Sequence, residues 1–272
     1  MIPCISQITT LPAAFGDDVH AAANAKCGAV EVWLTKLESF LATRALESAK
    51  QLVADSGVKL EAAAGQGGIL LTMGEARREA FALFERRLEL CEALEIPTLV
   101  ISGDFAESIT ATDYDRAIVS LRQAGQLAAA RGVRIALEFQ SRAAFCNNLC
   151  TAASLVEQCG ESNVGICLDV FHYYTGPSKF EDLVALSPNR LFHVQLSDLA
   201  GTPRELATDT DRILPGDGDF QLGPIIDHLR AIDYRGAVSV ELMNPQIWKV
   251  QALQVAEVAV TALRRLLGLA VP

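Results

Sequence analysis

The sequence predicts a single-domain α/β fold over residues 1–272: a closed (β/α)8 barrel in which eight parallel strands alternate with eight helices. Three observations lead there. Short β-rich apolar runs recur at roughly 30-residue spacing, each followed by a stretch of helical period. Eight such pairs can be counted along 272 residues, close to the length of about 250 expected of such a barrel. No glycine fingerprint follows the first strand, as the competing doubly wound sheet would require of a dinucleotide binder.

Composition supports one aliphatic core. The chain is 50% hydrophobic, 21% charged and 6% aromatic, with no linker-like stretch. A net charge of −10 repels phosphate backbones and anionic lipid, which argues against nucleic acid and membranes as partners. Seven cysteines, an odd number, sit mostly inside apolar periodic runs and read as reduced core residues of a cytoplasmic protein. Cys146 and Cys150 lack a second Cys or His pair, so they do not make a zinc site. The first residues carry no basic, apolar leader, and no apolar run reaches about 18 residues.

Residues 2–6 form the first strand, ahead of a Thr-Thr-Leu-Pro turn. Asp17 and Asp18 favour a helix start; residues 19–26 continue the helix, which Gly28 should stop. Residues 28–34 are strand two, with Glu31 inside it, and residues 38–56 read as one long amphipathic helix ended by Gly57. Strand three covers residues 58–64, and Gly65-Gln66-Gly67-Gly68 fits no phosphate-binding fingerprint, so it reads as a flexible loop over a site. A helix over 74–94, a strand over 96–102, a helix over 112–131 and a strand over 133–139 follow. Residues 149–159 form a helix, 164–169 strand six, and 179–186 a helix. Strand seven at 191–196, a helix at 221–232, strand eight at 237–242 and a closing helix at 247–267 complete the count.

Four consecutive strands end in a side chain that can hold a ligand. Strand five ends in Glu138, strand six in Asp169, strand seven carries Gln195, and strand eight ends in Glu241. Taken singly, each would serve as well as a helix cap or a surface ion pair. In register at the ends of barrel strands they would converge, and crowded carboxylates repel one another. A divalent cation removes that repulsion; carboxylates plus one amide suit Mn2+ or Mg2+ and also admit Co2+ or Zn2+.

Motifs across the second half carry a resemblance. Leu137-Glu138, Gly165-Ile166-Cys167-Leu168-Asp169-Val170-Phe171-His172, and Val194-Gln195-Leu196-Ser197-Asp198 are similar to segments of the xylose-isomerase-like barrel superfamily, the sugar-phosphate and inositol isomerases and epimerases. Arg212-Ile213-Leu214-Pro215-Gly216-Asp217-Gly218 and Ser239-Val240-Glu241 complete the set. The resemblance implies that Glu138, Asp169, Gln195 and Glu241 ligate one metal ion and that His172 and Arg212 hold substrate oxygens. Many epimerases of this kind carry His at the place of Gln195. Here His193 stands two residues earlier on the same strand face, as the other candidate, and Gln195 itself resembles the pattern of 3-dehydroshikimate dehydratases.

The implied substrate is a small polyhydroxy carbonyl compound, a sugar, sugar phosphate or cyclitol. A base removes the proton next to the carbonyl and the metal stabilises the enediolate, with Glu138 and Glu241 as the catalytic pair. A dehydratase using the same site is the alternative, and a non-catalytic sugar-binding protein a second. A nuclease would need a basic groove and a His-rich metal cluster, against four His in the whole chain. Barrels of this kind often pair, so a homodimer is expected.

Overall fold

Apolar runs that bury both faces make the inner wall. In the computed structural model, which describes residues 1–104 and 108–271, eight strands follow one another in sequence order as a closed barrel. They are β1 (Ile2–Ser6), β2 (Ala29–Trp33), β3 (Lys59–Gln66), β4 (Thr98–Ser102), β5 (Arg134–Glu138), β6 (Val164–Asp169), β7 (Leu191–Leu196) and β8 (Ala237–Val240). Parallel pairing sets the heights at which side chains stand: Ser6 opposite Glu31, Cys4 and Gln195 each opposite Ser239.

The chain falls into two compact units, Met1–Ala62 with Val194–Pro272, and Ala63–His193. The first unit holds the helices α1 (Phe15–Asn24), α2 (Leu34–Leu41) and α3 (Leu46–Ser56). The last two helices of the chain, numbered below, also belong to it. In the second unit lie α4 (Gly74–Ala93), α5 (Ala111–Ala129), α6 (Leu149–Cys159) and the short α7 (Val170–Thr175). Back in the first unit, α8 (Leu222–Ala231) and α9 (Ala252–Leu267) follow β7 and β8, and α9 packs on α1 and β1.

Local chemistry explains the boundaries. Thr110 and Asp113 make a reciprocal capping box at the start of α5, and the Asn148 side chain accepts the Thr151 N–H at the start of α6. Gly57 and Gly160 end α3 and α6 with φ of 69° and 77°, conformations that glycine adopts without strain.

Four expectations need correction. The helix expected over 38–56 is two helices, because the chain turns at residues 42–45, where the Arg44 guanidinium lies 4.7 Å from the centre of the Phe40 ring. Gly28 is not the left-handed stop of α1; Lys26 takes that conformation, at φ 55°, and Cys27 N–H reaches back to the Ala22 carbonyl. The helix expected over 179–186 is a 3-10 segment, Phe180–Ala185. The closing helix begins at Ala252, after a separate turn at Ile247–Lys249.

The cysteines are free, six buried and Cys150 exposed; burial pushes the Cys146 and Cys91 thiols up to about 12, as inert core groups. Among the described residues, no helix is long and apolar enough to cross a membrane.

Candidate active site

The sequence-predicted ligands divide between the two units. In the second unit, β5 delivers Glu138 as its last residue, and β6 delivers Asp169 at the point where α7 begins. Asp169 Oδ1 accepts the Phe171 N–H at 2.7 Å, capping the helix. That cap fixes the carboxylate and, three residues on, turns His172 onto the same helix face.

His172 Nε2 lies 3.4 Å from Glu138 Oε1 and 3.7 Å from Asp169 Oδ2. Its other ring nitrogen shares a hydrogen bond of 3.1 Å with Ser141 Oγ. Glu138 Oε1 also accepts the Gln140 amide at 2.7 Å. All three groups are buried, and one ligand atom from each lies within 4.8 Å of the others. Both approaches to the imidazole are shorter than twice a metal–ligand distance of about 2.1 Å, so one ion can touch both partners of each pair. An imidazole oriented by a hydroxyl, beside two carboxylates, is a donor set that fits a divalent cation.

In the first unit a second buried group forms around Gln195. Its Nε2 donates to Glu31 Oε1 at 2.8 Å and to Glu241 Oε1 at 2.9 Å. Glu241 Oε2 accepts Arg212 Nη1 at 3.2 Å, while Asp209 Oδ1 takes Nη2 and Nε of the same guanidinium at 2.7 and 3.0 Å. Arg212 is only 1% exposed, although an Arg in a loop is more often a surface charge.

Asp198 builds the loop that holds Arg212 there. Its backbone pairs with Ile213, and its carboxylate accepts N–H groups of Leu199, Gly216 and Phe220 at 2.9–3.0 Å. A Cβ at Gly218 would stand 2.4 Å from Asp198 Oδ1, so this Gly is demanded by close packing. Downstream, the Asn244 amide clasps the Arg212 carbonyl at 3.0 Å.

The structure thus brings Glu138 and Asp169 together with His172, and Gln195 together with Glu241 and Arg212. His172, expected on substrate oxygens, stands where it can also ligate. His193 is fully buried on β7 and is not in the Glu138–Asp169–His172 group. Glu31 was visible in the sequence only as an acid inside strand two; its register beside Ser6, on a buried parallel strand, is the signal that it points inward.

Comparison with known proteins bears on the fold and the family. The family described as "Xylose isomerase-like TIM barrel" matches residues 19–266. An inosose isomerase of Halalkalibacterium halodurans is 31% identical over 185 residues, 67% of this chain and 66% of that protein. The match therefore spans slightly less than two thirds of that relative. A 3-dehydroshikimate dehydratase of Pseudomonas aeruginosa is 29% identical over 165 residues, 59% of this chain but 25% of that protein. The crystal structure of an IOLI protein with a bound zinc atom superposes with a TM-score of 0.93 at 23% identity, covering 98% of each chain, which shows the shared fold. The chain belongs to the xylose isomerase-like TIM barrel family.

Proposed function

We propose that this protein is a divalent-metal-dependent isomerase or epimerase that acts as one barrel domain on a small polyhydroxy carbonyl compound. The observation that carries the proposal is the buried group of Glu138, Asp169 and His172, a donor set with no apolar rationale. Glu138, Asp169, Gln195 and Glu241 are assigned as the residues that would hold the ion, Mn2+ or Mg2+ before Co2+ or Zn2+. When bound, the ion supplies Lewis-acid polarisation of the substrate carbonyl and offsets the negative charge that develops on deprotonation.

The side chains do the proton work. One of the carboxylates Glu138 and Glu241 takes the proton from the carbon next to the carbonyl. The other, carrying a proton, returns one to the opposite face, which inverts that carbon. Return of the proton to the adjacent carbon gives aldose–ketose exchange instead. Arg212, held between Asp209 and Glu241, and His172 are assigned to the substrate's oxygens. Their burial keeps water from competing for those contacts.

A second reading is favoured by Gln195 and by the dehydratase relative: the same proton abstraction, followed by loss of a β-hydroxyl as water. Cytoplasmic residence and pairing into a homodimer complete the proposal.

The test is metal analysis of protein purified without chelator. It is followed by assay with Mn2+ on ketohexoses, inosose and 3-dehydroshikimate, where the last yields a product absorbing in the near ultraviolet only if water is expelled. Glu138→Gln and Glu241→Gln should each lower turnover at least about 100-fold with an unchanged circular dichroism spectrum, in line with loss of an acid–base group. A sugar-binding protein would instead show ligand affinity that both variants leave intact. His172→Gln separates two roles: loss of metal affinity makes it a ligand, and a raised KM alone places it on the substrate.

A further inference from the structure

We infer that Glu31 is a positioning residue for Gln195, the device that lets a carboxamide serve as a metal ligand; the inference rests on the metal reading above. A glutamine side chain can present either its oxygen or its nitrogen to a site, and only the oxygen has lone pairs for a cation. Here the two ends are told apart by charge. One terminal atom of Gln195 lies 2.8 Å from Glu31 Oε1 and 2.9 Å from Glu241 Oε1. An amide oxygen squeezed between two carboxylate oxygens would be repelled by both, so that atom is the nitrogen, each of its hydrogens given to a different acid.

Glu241 takes one of the two amide hydrogens, and a single hydrogen bond does not by itself fix which way an amide is turned. Glu31, entering from β2 and fully buried, supplies the second acceptor. With the nitrogen turned to the two acids, the carbonyl oxygen is the end that carries the lone pairs a cation needs.

The experiment is a double-mutant cycle read as Mn2+ affinity by calorimetry, together with the thermal midpoint of the metal-free protein. Glu31→Met, which keeps the side-chain length but removes the strong acceptor, should weaken Mn2+ binding about tenfold or more, as loss of a group that orients a ligand does. Glu31→Gln, whose carbonyl can still accept, should stay within about threefold of wild type. In a Gln195→Ala background, Glu31→Met should change Mn2+ affinity by less than about twofold, because the residue it positions is gone.

Equal losses in both backgrounds would overturn the inference, since Glu31 would then act on the ion or the fold directly. Unchanged affinity of Glu31→Met in the wild-type background would overturn it too, while leaving the metal reading intact. Wild-type protein that binds no divalent ion would sink the metal reading and this inference with it. Glu31→Ala carries the same cycle if Glu31→Met does not fold.

Discussion

Asp18 shows at the scale of one residue how burial rewrites a sequence signal. Next to Asp17 it reads as a helix-start acid, yet it is buried, accepting the Thr10 hydroxyl at 2.7 Å and the Lys36 ammonium at 2.5 Å. Lys36 also donates to the Gln7 and Thr10 carbonyls at 2.9 and 2.7 Å. Burial pushes the Asp18 carboxyl up to about 6 in spite of the Lys36 charge, and the same desolvation lowers Lys36. A folded-state value above the unfolded one means that the group's contribution to stability is complete below about pH 4 and is lost as pH rises through about 6. Relative to Asp18→Asn, wild-type stability should therefore fall between pH 4 and pH 7, by on the order of 2–3 kcal/mol in denaturant titrations. Parallel profiles for the two proteins would show that the carboxyl is not perturbed.

At the scale of the element, β6 is held by a close approach at its glycine. A Cβ on Gly165 would stand 2.5 Å from the Arg190 carbonyl and 2.7 Å from the Phe192 ring. Backbone cannot yield as a flexible side chain does, so Gly165→Ala should cost about 1–3 kcal/mol, read as a lower thermal midpoint. It should also disturb Asp169 at the end of the same strand, and with it any metal affinity. The sequence shows a Gly inside an apolar run but not what approaches it. Helix boundaries divide the same way. Gly57 and Gly160 end their helices as their positions suggest, because nothing but the local backbone is at stake. The division of residues 38–56 into α2 and α3, and the appearance of α7, are set by packing, which overrides a helical period that continues through the break.

At the scale of the whole molecule, a site that holds a cation ties ligand binding to stability. An ion at 100 times its dissociation constant should add about 2.7 kcal/mol, a rise on the order of 5 °C in thermal midpoint for a chain of this size. Mn2+ should produce that rise in the wild type, and Asp169→Asn should abolish it. A net charge of −10 should also leave the protein unretained on a phosphate-rich column at physiological salt.

The sequence alone determined the barrel, its strand boundaries within a residue or two, and the identity of the acids at the ends of β5, β6 and β8. Those follow from periodicity and from nearly unbroken apolar runs, which are local properties of the chain. Only the tertiary structure decided that His172 turns its Nε2 onto Glu138 and Asp169, that Arg212 is buried on Glu241, and that Glu31 clasps Gln195. These pairings join residues that are as much as 164 positions apart, as Glu31 and Gln195 are. Hydrogen-bond geometry between such distant groups is fixed by how strands pair and loops fold back, and no spacing along the chain encodes it.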